Sequence, residues 1–320
     1  MYYPYLRGKQ FDLLALKESV NRGLLSKRIE PIIEPVRDSA TLKGVVELFQ
    51  KKKHPLTIID NPQVGQFKLF DQHLHTWEIL KDSSLRNASI ITPENYERLI
   101  VHPPDMIIFD GQHQPRETQI WKALANTHAQ FLIPDNSRIR IWLPENKIVI
   151  KESFKTRKHV EAYGEKIDDF FSDDYLFFRE DGYIGFSDFT IEGSHYFDKG
   201  FPNRALALHV TYIDAYGNLR VKHFVSDTNE SAKDQALKFF EAAEKLERWV
   251  MRNHNQLVIT EGLLELLMIY HQQKFPGLGV LKKWTLLHHL ELISQLLDRP
   301  DSFFRNDKRV EALYSIIEEK

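Results

Sequence analysis

The chain contains no cysteine. This removes thiol nucleophiles, thiolate zinc sites and any disulfide framework, and a cytoplasmic, reducing location is expected. An excess of one charge is missing as well: 43 Lys and Arg stand against 45 Asp and Glu, a net of −2. That balance argues against a dedicated nucleic-acid coat or arm, although a local basic patch stays open. Glycine and proline, 14 each, are too few for a collagen-like or disordered chain. No stretch approaches the roughly 18 apolar residues of a membrane span, and the first residues lack a basic segment followed by an apolar one, so neither anchor nor leader is expected. The GxGxxG, GxxxxGK, GxSxG and HExxH patterns are also missing, which leaves dinucleotide, P-loop, serine-hydrolase and zincin chemistry without support.

What is present is a 320-residue chain with 42% apolar and 28% charged residues, enough for a large core. Short apolar runs alternate with amphipathic stretches over the first part. The runs are Tyr2 to Leu6, Ile29 to Val36, Leu56 to Asp60, Ala88 to Thr92, Met106 to Asp110 and Gln130 to Ile133. Helical spacing follows them, as at Leu42, Val45, Val46 and Phe49, and again from Phe67 to Leu80. Six such units within about 135 residues exceed what most open doubly wound sheets hold, whereas a closed barrel uses them all. An α/β fold is therefore expected, a TIM-like (β/α)8 barrel over residues 1–227; an open mixed sheet is the alternative.

The rhythm breaks across 135–182, which reads as an insertion with candidate strands at Ile139–Trp142 and Ile148–Ile150. Late barrel strands are expected at Tyr183–Phe189 and Ala205–Ile213, the latter turning through Asp214–Asn218 into alternating Leu219, Val221, His223 and Val225. Residues 228–320 read as a helical region of four helices packed on the barrel. From Asn229 onward 13 basic residues face 14 acidic ones, which suits a packing or partner-binding layer better than a nucleic-acid arm.

Several of these segments resemble the beta-protein family of phage and bacterial proteins: Tyr2-Tyr3-Pro4-Tyr5-Leu6-Arg7-Gly8-Lys9-Gln10, Ile32-Ile33-Glu34-Pro35, Gly185-Phe186-Ser187-Asp188-Phe189 and Leu208-His209-Val210-Thr211-Tyr212. They are most similar to the bacterial branch encoded beside a small nuclease-like partner. The resemblance covers most of the chain and implies a mobile or anti-phage defence setting with two genes. It carries no catalytic residue over to this sequence.

Barrel active sites are built at the C-terminal ends of the strands. Here Arg7 and Lys9 follow the first run, Glu34 sits late in the second, Asp60 ends the third, Asp110 ends the fifth, and Asp135 and Asn136 follow the sixth; Asp188 and Glu192 lie late. Converging carboxylates repel one another unless a cation compensates them, and hard oxygen ligands suit Mg²⁺, Mn²⁺ or Ca²⁺. The expected site thus has Glu34, Asp60, Asp110 and Asp188 holding a divalent metal, Arg7 and Lys9 binding a phosphate, and Glu34, Asp110 and His113 moving protons. The substrate would be a phosphorylated small molecule, a nucleotide or a nucleic-acid end, and the activity a metal-dependent phosphoester hydrolase. Two other readings stay open. Asp60 and Asp110 are also ordinary caps and turn formers, and the whole chain also fits a non-catalytic barrel that binds and regulates a nuclease-like partner. His73-Leu74-His75 and His288-His289 lack metal spacing, and His209 reads as a hydrogen-bonded strand histidine.

Overall fold

A computed structural model describes residues 1–66, 85–197, 203–298 and 307–318. The chain divides into two compact units, one of residues 1–13, 27–152 and 174–190 and the other of residues 14–26, 153–173 and 191–320.

The first unit is an eight-stranded parallel sheet. Its strands are β1 (Tyr5–Leu6), β2 (Ile32–Ile33), β3 (Thr57–Ile59), β4 (Arg86–Ile90), β5 (Met106–Ile108), β6 (Gln130–Pro134), β7 (Lys147–Lys151) and β9 (Gly185–Asp188), each beside the next; the intervening β8 (Asp168–Ser172) belongs to the other unit. Tyr2 bridges Ile29 on one side and Phe186 on the other, which brings the first and last strands together into a nearly closed TIM-like barrel. The near-continuous apolar runs follow from burial on both faces of a parallel sheet. Alternate residues fill the interior, where Tyr5, Ile32, Ile59, Ala88, Ile90, Met106, Ile108, Leu132 and Ile148 form one cluster. Gly185 is required beside them, because a Cβ there would lie 2.6 Å from the Tyr3 ring.

Helices follow the strands, as Ala40–Lys51 does with Leu42, Val45, Val46 and Phe49 buried and Ser39 Oγ accepting from the Leu42 N–H at 3.2 Å. The helix expected over residues 67–80 lies outside the described residues. Ile139–Trp142, expected as a strand, is the end of helix Ser137–Trp142. Asn136 caps it by accepting from the Arg138 and Ile139 N–H groups, and this local capping outweighs the strand preference of the isoleucines. Ile148–Ile150 is a strand as expected, but it is the seventh barrel strand and sits inside the stretch read as an insertion.

Ala205–Ile213, expected in the barrel, instead forms β10 (Ala207–Ile213). It pairs antiparallel with β11 (Leu219–Val225), which in turn pairs with β8 in a separate three-stranded sheet of the second unit. The barrel strands therefore end at Asp188, and the expected span to residue 227 is corrected accordingly. Eight strands already bring the sheet nearly to closure, which leaves little room for a ninth. The turn between β10 and β11 is held by Asp214 Oδ1, which accepts from the Tyr216 and Asn218 N–H groups at 2.9 Å each. Four helices complete this unit: Gln235–Asn253, Glu261–His271, Leu278–Asp298 and Asp307–Glu318. They share a core with Leu208, Val210 and Phe224 of the sheet. β10 is one of the two outer strands, and its Thr211 carbonyl accepts from His288 Nε2 at 2.7 Å, so a helix covers part of an otherwise open edge. No helix among the described residues is long and apolar enough to cross a membrane.

Candidate active site at the barrel mouth

Side-chain alternation decides which strand-end residues reach the barrel interior. Tyr5, Ile32 and Ile108 point inward, so Arg7, Glu34 and Asp110, two residues further on, continue the inward rows. Ile59 also points inward, which turns Asp60 outward and leaves Asn61 on the inner side. Phe186 stacks on Tyr2, their ring centres 5.0 Å apart and both outside the interior cluster, so Asp188 lies on the outer face.

Glu34 is fully buried and accepts three hydrogen bonds: from Tyr5 Oη at 2.6 Å, from the Gln63 N–H at 2.6 Å and from Arg7 Nη1. The Arg7 guanidinium lies 5.1 Å from the Tyr5 ring centre and 5.8 Å from that of Phe189, so two aromatic faces and a carboxylate hold it. Burial, reinforced by the Glu34 charge, pushes the Tyr5 phenol well above its usual range and keeps it a donor. Glu34 is thus the anchor of Arg7, and its oxygens are occupied by protein donors.

Asp110 is arranged differently. Its Oδ1 accepts from the Gln112 and His113 N–H groups at 2.8 and 2.9 Å, which makes a tight turn, while Oδ2 meets His113 Nδ1 at 2.7 Å. A carboxylate only accepts, so Nδ1 carries a proton toward it, and Nε2 has no partner among the described residues. Both side chains reach solvent, 31% and 43% exposed. The Asp110 charge makes the last and smallest contribution to the rise of the Tyr5 phenol.

The other expected residues lie elsewhere. Asp60 accepts from Ser89 Oγ at 2.5 Å and Arg98 Nη1 at 2.9 Å on the outer face. Asp188 is 2% exposed; its Oδ1 takes the Tyr2 hydroxyl and the Thr190 N–H, both at 2.7 Å, and burial raises its pKa to about 7. Thr190 has φ +54°, so this carboxyl braces a strained turn. Lys9 precedes helix Gln10–Asn21, and its N–H donates to Asp12 Oδ2 at 3.3 Å. Asp135 pairs with Arg140 at 3.3 Å, and Glu192, in the second unit, pairs with Lys282 at 3.2 Å. The four carboxylates expected around one metal are therefore divided, two inward and two outward. Among the described residues no three acidic or histidine side chains gather into a group that could hold a metal ion.

Gln63 and Phe189 belong to the mouth and were not among the expected site residues. The signal for Phe189 was the same two-residue alternation that places Arg7. His209 is hydrogen-bonded as expected, its Nδ1 2.8 Å from His223 Nδ1, and His223 reaches Asp169 at 3.3 Å.

Fold and mouth together define an α/β barrel with an arginine and an aspartate-oriented histidine at its strand ends. No protein-family model matches the chain, and no curated protein or solved structure matches it.

Proposed function

We propose that the barrel mouth is the active site of a phosphoester hydrolase acting on a phosphorylated or nucleotide substrate. One observation supports this above the others: Asp110 orients His113 at 2.7 Å, with no partner for Nε2 among the described residues, at the same end of the barrel strands as Arg7. In this reading Arg7 compensates the phosphate charge. His113 Nε2 takes a proton from the attacking water as its oxygen bonds to phosphorus, and the departing oxygen takes a proton from solvent water as its bond to phosphorus breaks. A divalent ion such as Mg²⁺ or Mn²⁺, brought with the substrate phosphate, would supply further charge compensation.

The test is turnover of 4-nitrophenyl phosphate and bis(4-nitrophenyl) phosphate by the full chain with Mg²⁺ or Mn²⁺. His113→Gln is expected to lower kcat by about 100-fold or more. Turnover of neither ester, or equal turnover by the variant, sinks the hydrolase reading and leaves a barrel that serves a nuclease-like partner without chemistry of its own.

A further inference from the structure

We infer that the second unit carries a separate nucleotide-binding cleft, lined by none of the mouth residues. The cleft has a volume of about 700 Å³ and lies between β11, helix Gln235–Asn253 and the segment around residues 161–167. That volume is in the range of sites that take small ligands.

Its helical wall has a single chemistry. Lys245, Arg248, Trp249 and Arg252 all line it, and their spacing of three, one and three residues puts them on one face of the helix. β11 adds Lys222, whose Nζ lies 5.8 Å from the Trp249 ring centre. Four cationic side chains therefore face the cleft against two acidic ones, Glu161 and Asp227. In a chain of net charge −2 this is a local surplus.

The cations differ in how far they are already engaged. Lys245 Nζ donates to the Val225 carbonyl and to Asp227, both at 2.7 Å; Lys222 is 3.3 Å from Asp168; Arg248 pairs with Glu244 on its own helix. Arg252 is exposed and has no acidic partner among the described residues. An arginine fork held on a rigid helix without a carboxylate is suited to a phosphate. Trp249 is half-buried, with Tyr212 and Phe224 against it at 5.3 and 5.5 Å between ring centres. These contacts fix the indole as a platform on which a base can stack.

An anion alone would need only the arginines, and an apolar ligand only the tryptophan. The two side by side select a molecule with both a phosphate and a planar ring, which is a nucleotide. The same chemistry is offered by a free nucleotide and by the unpaired end of a nucleic-acid strand.

Two probes separate these sources: a fluorescent N-methylanthraniloyl ATP and a 5′-fluorescein deoxythymidine 10-mer, each titrated with the full-length chain at low and physiological salt. Saturable binding of either probe is expected, weakened by at least about tenfold in Arg252→Glu, with melting unchanged because the residue is exposed. Tighter binding of the 10-mer assigns the cleft to a strand, and tighter binding of the nucleotide assigns it to the free ligand. Arg252→Glu should turn over the two nitrophenyl esters like the unaltered chain, which separates this site from the mouth. No binding below millimolar concentration, or equal binding by Arg252→Glu and Arg248→Glu, overturns the inference.

Discussion

The two ends of the barrel interior are built from the same parts. Glu30 and Glu34 flank β2 and share its inward row, and each holds an arginine: Arg86 at the N-terminal end, at 2.8 and 3.0 Å, and Arg7 at the C-terminal end. At the N-terminal end the network closes on itself. Glu30 also takes the Thr57 hydroxyl at 2.5 Å, Arg86 donates to Gln130 Oε1 at 2.9 Å, and burial with the Glu30 charge pushes the Tyr3 phenol up to about 12. At the mouth the Glu34 cluster is equally bonded, yet the same end of the strands carries His113, whose Nε2 has no partner among the described residues. A buried Glu–Arg pair in a barrel is therefore no mark of function, and the difference between the ends is the histidine that the local turn keeps open.

The strongest way to break this comparison is to remove each glutamate. Glu34→Ala strands Arg7, which is only 17% exposed, and is expected to cost about 3–5 kcal/mol in a denaturant-unfolding measurement. Glu30→Ala should cost less, because Arg86 is 32% exposed and can turn to water. Equal losses would show that both ends are sealed alike.

An intermediate effect sharpens the distinction between inward and outward carboxylates. Asp188 has its folded pKa raised by burial to about 7. Its contribution to stability is complete below the unfolded value near 3.9 and is lost as pH rises through 7. Asp188→Asn keeps an oxygen for both Tyr2 and Thr190, so the variant should match the unaltered chain near pH 3.5 and exceed it at pH 8 by a few kcal/mol, at most about 4. Thermal melting against pH reads this. A variant that is less stable at both pH values would mean that the ionised carboxylate is needed.

The smallest effect is expected at Asp60. Its partner Arg98 is 47% exposed, so Asp60→Asn should shift stability by less than about 1 kcal/mol and leave phosphoester turnover with Mn²⁺ unchanged. A large loss of turnover would return Asp60 to the mouth chemistry.

Much of the fold was legible in the chain. The first six apolar runs mark barrel strands, and the four C-terminal helices lie where spacing put them. The pairing of His209 with His223 was also readable, because a turn that sets Ile213 opposite Leu219 sets 209 opposite 223. The mouth was half legible. Treating every strand-end carboxylate as convergent ignored the pleat, although the position of Ile59 one residue before Asp60 already turns that carboxylate outward. The Ile139–Trp142 segment misled because a four-residue apolar stretch suits strand or helix, and the Asn136 side chain decided between them.

Local order was thus set by the sequence alone: where strands and helices lie, the cysteine-free chemistry, the hairpin register, and the basic row on helix Gln235–Asn253. These follow from neighbours two to four residues apart, whose steric and hydrogen-bonding preferences act before any distant contact forms. Only the tertiary structure decided which eight strands close the barrel through Tyr2, that β10 leaves it for another sheet, and that Lys222 faces the row of Lys245, Arg248 and Arg252. Each of these joins residues far apart in the chain, and such pairings are chosen by the packing of whole surfaces against the entropy of closing long loops, which no short stretch of sequence encodes.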